Sequence, residues 1–271
     1  MIEDMKSSWR LGAAACVSGF TLMAYELVAA RLLAPSVGNS TYVWTGVIGV
    51  IIIALSAGCW LGGRVADYRH APQDVGLLLI VAAALVMITI LSANNTLRWL
   101  TTVLDEPRIQ AVIAALALFA PASFVLGAVS PYLAKLNVSS LDTAGRSVAN
   151  LSALDAVGGI AGTFVTGFVL LGMIGLNETL ALITGILLAT SWLFIPRWQW
   201  QLRALMVGAV IVAALSGLYM PKHDDVSIET PSAHYSIVNY TSNGRQIRGL
   251  VTGPTGVQHK RLAVLVYAAY G

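Results

Sequence analysis

Apolar residues fall in seven long runs along this chain, near residues 11–33, 42–61, 75–91, 109–129, 148–171, 176–194 and 202–218. Each is close to the length at which a helix crosses the hydrocarbon of a bilayer. From residue 221 the pattern changes. Residues 233–240 mix aromatic and β-branched side chains as a strand does, Asn243-Gly244 is a hairpin turn signal, and residues 247–251 supply a returning strand. Gly253-Pro254-Thr255-Gly256 marks another turn and residues 261–270 a short helix. The predicted fold is an all-α polytopic membrane protein with about seven transmembrane helices in residues 1–220, followed by a small soluble β-rich tail in 221–271. The first run is too long for the apolar region of a signal peptide and carries no cleavage pattern, so it is expected to be retained. A hairpin and one helix are marginal at the size of the tail, which is expected to dock on something larger.

Composition sharpens the membrane reading. Apolar residues make up 57% of the chain and charged residues 11%, well under the quarter usual in soluble domains. Net charge is only +3, too small to suggest a nucleic-acid binder, and the basic residues are scattered between apolar runs. Lys6, Arg10, Arg64, Arg69, Lys135, Arg146, Arg197 and Arg203 fall in alternate connectors, against Arg98 and Arg108 in the others. The positive-inside rule then places the N-terminus in the cytoplasm, in a plasma (inner) membrane, and an odd span count places the tail outside it.

Three ionisable residues lie where hydrocarbon should not tolerate them: Glu26 and Arg31 in the first run and Asp155 in the fifth. Arg31 is near enough to a helix end to reach the interface. The carboxylates either face an internal cavity that takes a cation, a polar substrate or a proton, or are neutralised by protonation or interhelical hydrogen bonds. Gly58 and Gly62, like Gly158 and Gly162, are spaced four apart and predict close helix packing. Pro121 and Pro131 predict a kink and a helix end. Gly63, Arg64 and Asp67 form a partial version of a transporter loop signature between the second and third helices, where an acid can bias a conformational switch; an ordinary basic loop accounts for it as well. Sequence comparison of the chain with itself shows no repeat. The four histidines have no metal-ligand spacing, the two cysteines form no cluster, and no nucleotide or hydrolase motif is present, so no metal is expected.

Several blocks together resemble the membrane-bound spermidine-synthase-like proteins, also described as fused transporter/spermidine synthase proteins. They are Glu26-Leu27-Val28-Ala29-Ala30-Arg31-Leu32-Leu33-Ala34-Pro35, Gly38-Asn39-Ser40, Trp44, Leu61-Gly62-Gly63-Arg64-Val65-Ala66-Asp67, Gly127-Ala128-Val129-Ser130-Pro131, Gly145-Arg146-Ser147, and Leu154-Asp155-Ala156-Val157-Gly158-Gly159-Ile160-Ala161-Gly162. The tail resembles the N-terminal β-domain of aminopropyltransferases, with Gln258 matching the glutamine beside the nucleoside end of decarboxylated S-adenosylmethionine. Thr255 stands where that pattern has an acid, and no acid or histidine surrounds Tyr267. The resemblance places the catalytic domain beyond Gly271. This chain alone is therefore expected to hold no catalytic residue and no cofactor, the decarboxylated cofactor entering only with a separately supplied catalytic domain. The resemblance implies a membrane component of a spermidine-synthase-like, polyamine-related system. A transporter-like protein for a small cationic solute and a membrane scaffold for a soluble partner are the alternatives. Expected partners are membrane lipid and a separate catalytic domain or a second copy of the chain.

Overall fold

The computed structural model describes residues 2–37, 41–69, 71–104, 106–138, 141–195, 208, 227–229, 234–242 and 245–252. Helices α1 (Ile2–Val37), α2 (Thr41–Tyr68), α3 (Pro72–Val103), α4 (Pro107–Leu118), α5 (Ala120–Asn137) and α6 (Leu141–Val165) follow one another. After α6 come a π-helical turn (Thr166–Leu170), a short α7 (Leu171–Met173) and α8 (Leu176–Ser191). Four of these helices are long and apolar enough to cross a membrane, and α4 with α5, bent by 54° at their junction, are long and apolar enough only when taken together. α8 is apolar but only 16 residues long. Six of the seven apolar runs therefore coincide with described helices, and the run at 202–218 lies outside the described residues. Large apolar side chains point outward along α2, α6 and the π-helical turn, among them Ile52, Ile53, Trp60, Val157, Ile160, Phe164 and Phe168, as a lipid-facing surface requires.

Two sequence expectations are corrected. Gly63, Arg64 and Asp67 are not in a loop but in the last turns of α2, which stays helical to Tyr68 because no glycine–proline break interrupts it. Pro131 does not end its helix; α5 runs through it to Asn137, and Pro131 packs over Gly63 of α2. Pro121 instead stands in the first turn of α5, where its missing N–H breaks no bond within that helix.

Glycine contacts fix the helix pairing. A Cβ on Gly158 would lie 1.8 Å from the Cys16 carbonyl oxygen, and one on Gly162 2.3 Å from that of Phe20, so α6 runs parallel to α1 with backbones touching. Gly58 stands 1.8 Å from the Phe124 carbonyl by the same measure and Gly62 2.6 Å from the Ala128 Cα, so α2 runs parallel to α5. The two pairs match residue for residue. Gly19 of α1 meets the carbonyl of Asp155, and its counterpart Gly127 of α5 meets the carbonyl of Leu55. The pair α1–α2 thus repeats as α5–α6 with inverted topology, a repeat that comparison of side chains along the sequence does not show. α3 and α8 pack antiparallel on each other, with Gly76 against Ser191, Phe194 and Ile195.

At one end of the bundle, polar groups clasp α2, α3 and α5. The Tyr132 hydroxyl is 2.6 Å from both the Arg69 carbonyl and the Asp74 carboxylate, Lys135 is 2.7 Å from Asp67, and Arg69 is 3.7 Å from Asp74. Tyr132 is buried, whereas Lys135 and Asp67 are exposed. Tyr132→Phe is expected to cost about 1.5–3 kcal/mol, the range for a hydrogen bond to a charged group. Asp67→Asn should cost under about 1 kcal/mol, as exposed ion pairs do. Thermal unfolding of the two variants in detergent checks this ordering.

Elsewhere in the chain, Ser227–Glu229, His234–Ser242 and Arg245–Thr252 pair as antiparallel strands β1, β2 and β3 in that order. Tyr235 faces Thr252 and Asn239 faces Arg248 across the β2–β3 ladder.

Candidate functional site

One of the two intramembrane carboxylates, Asp155, opens on a groove. It has a volume of about 240 Å³ and runs between α1 and α6, lined by Gly19, Leu22 and Met23 on one side and Asp155, Gly159 and Thr163 on the other. The spacing explains the lining. Residues 19, 22, 23 and 26 form one stripe of α1, so Glu26 continues the wall one turn past Leu22 and Met23. Residues 155, 159 and 163 form the facing stripe of α6. Gly19 and Gly159 keep the floor at backbone height, and Met23 packs over Gly159.

Both carboxylates are half-buried, and neither has a hydrogen bond or ion pair among the described residues. The register set by the glycine contacts puts Glu26 level with the π-helical turn, about three helical turns, or roughly 16 Å, beyond Asp155. The Thr163 hydroxyl is spent on the Gly159 carbonyl at 2.9 Å. In the π-helical turn the Thr166 hydroxyl is buried with no partner among the described residues, and a Cβ on Gly167 would lie 3.9 Å from the Leu27 side chain. Turns of this kind loosen the helical ladder and recur at binding sites.

Arg31 is half-buried on α1 about 140° around the helix from Glu26, so it does not face the groove. Gly58, Gly62, Gly158 and Gly162 line the two helix contacts described above. Gly63, Arg64 and Asp67 belong to the clasped end of the bundle, where the Arg64 guanidinium lies 3.8 Å over the Trp60 ring. Gln258 lies outside the described residues. Among the described residues no group of acidic, histidine or cysteine side chains has a metal-binding arrangement.

The inverted repeat supplies an internal control. The relation that carries Gly58 onto Gly158 carries Leu55 onto Asp155, and the one that carries Phe124 onto Cys16 carries Ala134 onto Glu26. The sister contact between α2 and α5 is built on the same glycines with apolar residues at both acidic positions. Helix packing of this form does not need the carboxylates.

A polar cluster that the sequence reading missed lies on the other side of α1. The Tyr25 hydroxyl is 3.0 Å from the Thr89 hydroxyl and 3.1 Å from the Leu118 carbonyl, and Thr89 donates to that carbonyl at 2.7 Å. Its only sequence signal is a threonine in the middle of an apolar run. No protein-family model, curated protein or solved structure matches this chain.

Proposed function

We propose that this chain is the membrane component of a spermidine-synthase-like, polyamine-related system, and that its helical domain takes a linear organic polycation into the groove between α1 and α6. The observation that carries this reading is the Asp155 carboxylate in the wall of that groove, with Glu26 farther along the α1 stripe that forms the facing wall; neither has a partner among the described residues, and the sister contact of α2 with α5 has apolar residues at both positions. A carboxylate in hydrocarbon is held there by a function far more often than by chance. Two of them three turns apart suit a flexible cation with charges at both ends, and the separation favours a triamine over a shorter diamine. The resemblance stated above points to the same class of molecule.

Orientation follows from the charges. Arg10, Arg64, Arg69, Lys135 and Arg146 belong to helix ends on one side of the bundle, and by the positive-inside rule that side is cytoplasmic. With α8 taken as a sixth crossing after α1, α2, α3, the bent α4–α5 pair and α6, the chain returns to that side. A further crossing at 202–218 would carry the segment with β1 to β3 outside, as a small soluble β-domain awaiting a catalytic domain or a second copy of the chain.

The test is equilibrium binding of radiolabelled spermidine to the full chain in lipid nanodiscs. Spermidine should bind more tightly than putrescine, and Glu26→Gln and Asp155→Asn should each weaken it at least tenfold. No saturable binding, or binding that both substitutions leave intact, would overturn the proposal.

A further inference from the structure

A break in a membrane span leaves carbonyls without their helical N–H partners, and in hydrocarbon something else must satisfy them. At the junction of α4 and α5 that task falls to side chains from two other helices. The Leu118 carbonyl accepts from Thr89 of α3 and lies within hydrogen-bond distance of the Tyr25 hydroxyl of α1. The Phe119 ring packs on the Tyr25 ring at 5.3 Å and 59°. Tyr25, Thr89, Leu118 and Phe119 are all buried.

We propose that the Leu118–Phe119 break is a hinge, that Tyr25 is its latch, and that a cation drawn to Glu26 releases the latch by moving α1. The ligand half of this inference rests on the function proposed above; the latch half does not.

Three observations carry it. First, the hydrogen bonding is under-determined. Two hydroxyl protons serve the Leu118 carbonyl, the Leu85 carbonyl and one another, and Thr89 already lies 3.1 Å from its alternative acceptor at Leu85. Thr89 can therefore leave Leu118 without being orphaned. Second, the Ser123 hydroxyl, one turn beyond Phe119, is buried with no partner among the described residues. A hydrogen bond is thus in reserve on the far side of the break, where the Ser123 N–H already reaches the Phe119 carbonyl. Third, Tyr25 and Glu26 are consecutive on a continuous helix, Tyr25 turned to the hinge and Glu26 on the α1 stripe that carries Gly19, Leu22 and Met23 of the groove wall. Any shift of α1 that brings Glu26 to a bound ammonium moves the Tyr25 hydroxyl as well.

Spin labels at Ile109 and Ser130, both exposed, report the bend from either side of the break. The full chain, with Cys16 and Cys59 replaced by alanine, is measured in nanodiscs. Straightening the 54° bend lengthens the distance between the labelled positions by about 3 Å, given the rise of an α-helix. Without ligand, Tyr25→Phe and Thr89→Val should each broaden the distribution toward the longer distance. Spermidine should produce the same lengthening in the otherwise unaltered protein but not in Glu26→Gln. An unchanged distance in folded Tyr25→Phe and Thr89→Val overturns the latch even if spermidine binds. Lengthening in those variants without any spermidine binding leaves the latch standing and overturns the ligand reading. Spermidine binding with no change of distance overturns the coupling.

Discussion

Gly158→Leu is expected to prevent α6 from docking on α1 and to cost more than about 4 kcal/mol, the range reached only when a core contact cannot be made. The reason is backbone geometry. A Cβ at this position would lie 1.8 Å from the Cys16 carbonyl oxygen, 2.6 Å from the carbonyl carbon and 2.9 Å from the Cα. None of these atoms belongs to a flexible side chain, so the helices can only separate. Separation in turn loosens the contacts of Gly19 and Gly162, which were made at the same interhelical distance. Gly145→Ala is the control. It lies on the same helix with nothing within 4 Å of its Cβ position, and should be neutral or stabilising by up to about 1 kcal/mol through helix propensity. Size-exclusion profiles and thermal unfolding in detergent should show Gly158→Leu aggregated or unfolded and Gly145→Ala intact. A monodisperse Gly158→Leu protein with an unshifted melting temperature would mean the α1–α6 pairing is wrong.

The second large effect is expected from the double variant Glu26→Ala with Asp155→Leu, which copies into the α1–α6 groove the residues that the sister pair carries at Ala134 and Leu55. If the carboxylates serve a ligand, this protein should fold at least as well as the original, since two ionisable groups leave hydrocarbon. Polyamine binding should fall by roughly thirtyfold or more, the equivalent of 2 kcal/mol or above for stranding the charges of a buried ion pair. If the carboxylates are structural, the melting temperature should drop instead. Unfolding of the double variant in detergent, followed by spermidine binding on whatever remains folded, separates the two cases. A destabilised protein with unaltered affinity sinks the proposed site.

The sequence made some of this legible and concealed the rest for physical reasons. Apolar run length places helices, because the thickness of hydrocarbon imposes it directly. Glu26 and Asp155 stand out because charge there is costly. That Asp155 lines a groove against the α1 stripe that Glu26 continues is not readable, since it depends on the register between α1 and α6, and that register is set by glycines whose partners are backbone carbonyls. The inverted repeat is hidden for the same reason: the two halves share Gly58 with Gly158, Gly62 with Gly162 and Gly127 with Gly19, while the side chains around them differ. Pro121 announces the bend, yet what secures it, Tyr25 with Thr89, reads in sequence as two unremarkable residues in separate spans. Helix ends are equally poorly marked. Arg64 and Asp67 look like a loop by charge, but the helix carries them past the apolar boundary and into the clasp with Lys135.

The pairing of α1 with α6 and of α2 with α5 is nested, like one bracket closed inside another. A ribosome delivers α1 first, and its partner arrives only after four other helices have been made. The inner pair can close while the outer one waits, so Cys16 and Phe20 stand beside lipid or a helper protein until Gly158 and Gly162 emerge. During that interval the α1 stripe that carries Gly19, Leu22 and Met23 has no facing wall. The same glycines that hold the finished protein together therefore also set a late step of its biogenesis, and a ribosome stalled within α6 would leave α1 as the segment that quality control finds exposed.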